Sequence, residues 1–435
     1  MKNWIPSFIR KSFILCLALG SLTACDQFTN APEQTKSPTP EVKLNANSLL
    51  SSANLFAYTQ LSEALTKAQA LDATIGSFLQ HPNPQSLEEA QNAWIDTYNS
   101  YLKISFFWQV PRFEKPQYHE QNETYKTLRE DLDSWPIEPG YIDYLPMYPL
   151  SGIVNDLTLQ ITEEGIYEQH GFSDMRYASI GFHPMEFLLF GPNGQRSAKD
   201  FIPQDNNVET IKLDTTTPEQ NPDSDNAHPE DEAGHEGHTH DDASVDGPQN
   251  HNRRRDYLRL LSALNVQRLQ KLADRWEPAH GYYAKQWRQP QKLENLQRVY
   301  QAAVDTLLHD VLNQQLSILL SQQELEDLRS PFAQQDIKNM VAIITGLELL
   351  FQTENGFNHE IKTRQAEVAD KLTARFKRLL RDVKKLPQDI ISQPLAARKK
   401  HLTPIQSSTI KLLELLYSGA ATLGIPLREL PVSTS

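Results

Sequence analysis

The apolar positions of this chain recur at helical spacing over most of its length. From Ser48 onward Leu49, Leu50, Leu55, Leu61, Leu65 and Leu71 return roughly every third or fourth residue, which predicts a long helix ending at His81-Pro-Asn-Pro. Ser86-Leu-Glu-Glu89 matches a capping box and predicts a second helix through Trp94, Tyr98, Tyr101 and Phe106. Between Pro111 and Pro149 the chain is irregular and rich in proline and tyrosine; helical pattern resumes near Ser151 and from Met175 to Phe190. Further helices are predicted over Arg254–Arg275, Gly281–Ser321, Gln335–Gln352, Glu360–Lys385 and Pro404–Leu423, the last closed by Gly424 with Pro426 beyond it. No stretch alternates with a period of two between hairpin turns, so no sheet is expected. The pattern predicts an all-α protein of two helical-bundle halves, with Glu186-Phe-Leu-Leu-Phe190 loosely echoed by Glu348-Leu-Leu-Phe351.

Two stretches do not fit a bundle. Residues 1–24 read as a secretory signal, with Lys2, Arg10 and Lys11 before the short apolar run Phe13-Ile-Leu-Cys-Leu-Ala-Leu-Gly. It ends in Leu22-Thr-Ala-Cys25, which looks like a bacterial lipobox and implies lipidation of Cys25 and a membrane anchor facing the periplasm. Asp26 resembles a signal for retention in the inner membrane, with the outer membrane as the alternative. Residues 25–47 then form a tether rich in Pro, Thr, Gln and Lys. The second stretch, residues 204–252, separates the helical halves at 48–203 and 253–431 and reads as a disordered acidic insertion.

Composition sharpens both points. The formal charge is −13, yet residues 201–250 carry thirteen acids and one lysine, so the remainder is an ordinary mixed surface. No basic patch suits nucleic acid. The chain has two cysteines, Cys16 in the signal and Cys25 at the lipid, which leaves the mature chain without a thiol for a disulfide, a thiolate metal site or a nucleophile. Metal chemistry must then come from histidine and carboxylate.

Two groups of residues offer it. In Gly181-Phe-His-Pro-Met-Glu186, His183 and Glu186 stand three apart, so on a helix they share a face and can point at one Fe²⁺, Zn²⁺ or Mn²⁺. A pair is too few for a site, and Asp143 or Glu138 from the irregular segment could complete it. The alternative is that Pro184 opens the helix, His183 is its N-cap and Glu186 merely bonds back to the cap. The second group, His228, His235, His238 and His240 in the insertion, has the composition of a flexible metal-collecting loop. The alternative is a solvated low-complexity segment with incidental histidines.

The Gly-x-His-x-x-Glu pattern resembles the signature of the imelysin family, and other blocks match in order. Trp94 with Tyr101 looks like the family's tryptophan–tyrosine helix. Trp135-Pro-Ile-Glu-Pro-Gly-Tyr-Ile-Asp-Tyr144 is similar to its second block, and Arg253-Arg-Arg-Asp-Tyr-Leu258 to the arginine-rich start of the next helix. Leu328-Arg-Ser-Pro-Phe332 and Leu423-Gly-Ile-Pro426 fit its lipoprotein branch more loosely. The resemblance implies a cell-envelope protein that binds a divalent metal or metal complex for uptake through an envelope transport partner, with iron first and zinc or copper also compatible. It also implies two alternatives. One is a metallopeptidase, although no His-Glu-x-x-His motif is present; the other is a structural or adaptor protein with an altered site. Two departures bear on the last: Pro184 follows the histidine, and Ser105 stands where many relatives carry a glutamate.

Overall fold

The computed structural model describes residues 44–110, 124–204, 250–287, 292–321, 327–387 and 389–429. Cys25, expected to be lipidated, the expected signal, most of the expected tether and the insertion histidines His228, His235, His238 and His240 lie outside them. Among the described residues there are helices and turns but no strand; the only pairing is an isolated bridge between Leu145 and Tyr148.

The first long helix, α1, covers Ala46–Gln80, its N-terminus capped by the Asn45 side chain on the Ser48 N–H. It ends where expected, at Gln80, two residues before Pro82. The second, α2 (Pro84–Leu102), starts earlier than Ser86 suggests. Asn83 is the cap and Ser86 the reciprocating partner, while Glu89 accepts from Gln85 instead. The proline at the first helical position fits, because its missing N–H would have no partner there. A 3₁₀ turn, Ser105–Gln109, follows. Next come α3 (Tyr125–Asp133), the single turn α4 (Pro139–Ile142), α5 (Glu163–Glu168) and α6 (Phe182–Phe190). No helix forms at Ser151 or between Met175 and Ser179. That region is built from turns pinned by side chains, such as Asn155 donating to the Ser151 carbonyl.

Past the insertion lie α7 (His251–Trp276), α8 (Tyr282–Trp287) and α9 (Lys292–Thr306). The expected single helix through Ser321 is not uniform: Leu307–Leu316 winds as a π-helix before the final turn α10 (Ser317–Leu320). Then come α11 (Asp336–Gln352), α12 (Phe357–Arg364), α13 (Ala366–Lys384) and α14 (Leu395–Leu423). The helix expected over Glu360–Lys385 is broken at Gln365, whose φ of −141° is not helical. Conversely, α14 begins nine residues before Pro404, which it carries inside at the loss of one backbone hydrogen bond. Gly424 closes it with a left-handed φ of 68°.

Helix α1 packs along α7 and α2; α13 packs on α11, α12 and α14, and α2 crosses α11. The apolar residues of both halves form one continuous core. No helix among the described residues is long and apolar enough to cross a membrane.

Candidate functional site

The motif stands where the two halves meet. Helix α6 is buried along its whole length, so both His183 and Glu186 are sealed from solvent. Gly181 makes this placement possible. Its φ is +103°, and a Cβ there would lie 2.6 Å from the carbonyl oxygens of Asp131 and Leu132. Only glycine lets the end of α3 approach α6 so closely. The indole N–H of Trp94 donates to the Phe182 carbonyl at 3.0 Å, which ties α2 to the same turn.

Helix α6 begins at Phe182 with Gly181 as its cap, so Pro184 is its third residue and still lies among the first four, whose N–H groups need no intrahelical partner. His183 is not the cap, and Glu186 does not bond back to one. Its Oε2 faces His183 Nδ1 at 3.3 Å, and its Oε1 accepts the Ala333 N–H at 2.9 Å.

The other imidazole nitrogen meets a carboxylate that the sequence did not single out. Asp133, at the end of α3, places Oδ1 3.0 Å from His183 Nε2. The same oxygen accepts the Tyr98 hydroxyl at 2.8 Å, while Oδ2 accepts Arg329 Nη1 at 2.9 Å. With a carboxylate on each nitrogen the ring is set up to donate twice, as an imidazolium. Burial disfavours that cation, but the hydrogen bonds to Asp133 and Glu186 outweigh it and raise the His183 pKa. Burial likewise works against the Asp133 anion, yet Arg329 and then His183 hold it well below the usual carboxylate range. Glu186 is pushed up by burial, with His183 offsetting part of the rise.

One more acid lies close by. Asp336, the first residue of α11, is fully buried, and burial lifts its carboxyl to about 7 although the Ser330 N–H bonds to Oδ1. Trp135, partly exposed, flanks the cluster, its ring centroid 4.9 Å from that of the imidazole.

The structure thus brings His183 and Glu186 together and directs Asp143 elsewhere. Asp143 is held by Arg254 through both oxygens, at 2.6 and 3.0 Å, and by Arg196 at 3.2 Å. Arg196 also donates to the carbonyls of Phe187 and Leu188 near the end of α6. That buried fork fixes α4, α6 and α7 to one another and leaves Asp143 no free oxygen. Glu138 caps α4 and does not reach the motif. Ser105 lies in the 3₁₀ turn and bonds the Leu102 carbonyl. Residues missed in the sequence are Tyr98, Asp133, Arg329 and Asp336. Arg329 did lie within the matched block Leu328–Phe332, where an arginine amid apolar residues signals a buried charge that must have a partner.

The donor types suit a borderline divalent ion, but they do not converge. The carboxylates flank opposite ring nitrogens, and among the described residues no three of His, Cys, Asp and Glu form a group able to hold a metal. An ion on Nε2 would have Asp133 beside it, while Glu186 would orient the ring from Nδ1.

In fold, the chain is similar to a protein of Parabacteroides distasonis ATCC 8503 described as an iron-regulated protein A precursor, with a TM-score of 0.59 and 12% identity over 88% of this chain and 97% of that one. It is also similar to an imelysin-like protein of Psychrobacter arcticum 273-4, with a TM-score of 0.57 and 15% identity over 88% and 98%. No curated protein matches its sequence. The family model of imelysin, peptidase family M75, matches residues 57–417, a span that holds the motif and every partner described above. The chain belongs to the imelysin family.

Proposed function

We propose that this protein is a lipid-anchored member of the imelysin family in the bacterial envelope that captures a divalent metal ion as cargo, iron first, at His183 Nε2 and Asp133. The observation that carries the reading is the buried imidazole with a carboxylate on each nitrogen. Such a carboxylate–histidine pair fixes one nitrogen and leaves the other basic enough to take a metal. Asp133 is then a ligand and Glu186 the orienting group, which alters the pairing expected from the motif alone. The iron-regulated description of one structural relative favours iron over zinc or copper. Cys25 is the anchor, and the insertion histidines His228, His235, His238 and His240 serve to collect ions near the membrane and pass them to an envelope transport partner.

Anaerobic titration of Fe²⁺ into the full chain and its His183→Ala variant tests this. A binding event lost in the variant is expected. Binding that is unchanged by the substitution would assign all capture to the insertion. Cleavage of a protein substrate abolished in the variant would establish a peptidase instead. A structural role is favoured by one observation, the complete pairing of His183 and Asp133, and absence of His183-dependent binding would select it.

A further inference from the structure

The segment from Leu328 to Gln335, which leads into α11, lies across the motif as a strap. Arg329 reaches Asp133 at 2.9 Å, and the Ala333 N–H reaches Glu186 at 2.9 Å. The Phe332 ring meets the Phe187 ring edge-on with centroids 5.0 Å apart. Inside α11, Asp336 accepts the Ser330 N–H at 3.1 Å and Asn339 donates to the Ser330 hydroxyl at 2.6 Å. The strap therefore takes both carboxylates of the cluster, one with a cation and one with a backbone amide. The Arg329 side chain is only 7% exposed.

We infer that Arg329 is a tethered cation that competes with the metal cargo for Asp133, so that loading requires the strap to lift from the motif. This rests on the metal-capture reading above. Tyr98 holds the Asp133 oxygen that faces His183 Nε2, and Arg329 holds the other oxygen of the same carboxylate. A guanidinium and a divalent ion on one buried carboxylate would stand within a few ångströms in a poorly screened interior, where like charges repel strongly. Both cannot stay.

The competition couples loading to a segment that joins the two halves.

Manganese(II), titrated into the full chain and followed by electron paramagnetic resonance of the free ion, tests the inference. Wild type, Arg329→Gln and Arg329→Met are each compared with and without His183→Ala, and far-UV circular dichroism checks the fold. Removing the guanidinium is expected to tighten the His183-dependent site by about tenfold or more, with Arg329→Lys staying near wild type. Equal or weaker binding in folded Arg329→Gln and Arg329→Met, beside His183-dependent binding in wild type, would overturn the competition and leave the capture reading standing. No His183-dependent binding in any protein would overturn both. Wild type supplies an arm that needs no variant at Arg329: manganese should speed amide hydrogen exchange across residues 328–333, and unchanged exchange with the ion bound to the His183 site contradicts the lifting strap.

Discussion

At the scale of single residues, the cluster around His183 works as a set of opposed charges held out of water. Removing one member leaves the others buried without a partner, which typically costs about 3–5 kcal/mol. His183→Ala should therefore lower the midpoint of urea unfolding markedly, whereas substitutions at the exposed end of Lys67 or Asp96, an ion pair in solvent, should change it little. The signs of the pH effects differ among the groups. The raised pKa of His183 means its contribution is complete below the usual histidine value and is lost as pH rises through the folded value. The depressed pKa of Asp133 places its contribution above the usual carboxylate value, to be lost only as pH falls through the folded one. Asp336 acts in the opposite sense: raised from 3.8 to about 7, it binds a proton more tightly when folded, so a penalty accumulates as pH rises from about 4 to 7 and persists above. Glu186 and Arg329 are the charges that face it. Relative to Asp336→Asn, the wild-type melting temperature should fall between pH 5 and pH 8, and parallel curves would contradict this. His183 and Glu186 were legible in the sequence because three-residue spacing puts them on one helical face. Asp133 and Arg329 were not, because only the fold brings residues so distant along the chain to one imidazole.

At the scale of elements, glycines mark where helices touch. A Cβ on Gly346, midway along α11, would lie 1.9 Å from the Lys103 carbonyl oxygen just past α2, so Gly346→Ala must push the two apart. Such overpacking costs about 1–3 kcal/mol. Gly76 in α1 has nothing within 4 Å of the same position, and Gly76→Ala should stabilise the helix by about 0.5–1 kcal/mol. Thermal melts of the two variants should thus move in opposite directions. Periodicity located the long helices well, since a buried stripe is repeated in every turn of α1, α7 and α11. It failed where the backbone departs from the α-helix without losing its stripe. The π-helix at Leu307–Leu316 still buries Leu307, Leu308, Val311 and Leu312, so a three-to-four residue spacing persists through it. The break at Gln365 and the proline within α14 are likewise decided by packing that local sequence does not report.

At the scale of the whole molecule, the site joins two helical halves that already share a core, and a strap from the second half covers a motif in the first. An anchor at Cys25 would add a fixed address, and Cys25→Ser should abolish labelling by radioactive palmitate and release the chain from membranes on fractionation; labelling that survives would refute the anchor. The all-helical architecture could be read from the sequence because it depends on patterning along the chain. The strap could not, because its role depends on what Leu328–Gln335 lies against. The most direct test of metal capture is anomalous diffraction at the zinc edge from crystals of the protein soaked in Zn²⁺. Capture at this site predicts an ion about 2.0–2.2 Å from His183 Nε2 and from an Asp133 oxygen, with Arg329 withdrawn. Zinc density confined to other histidines, with His183 still paired to Asp133 and Arg329 in place, would contradict it.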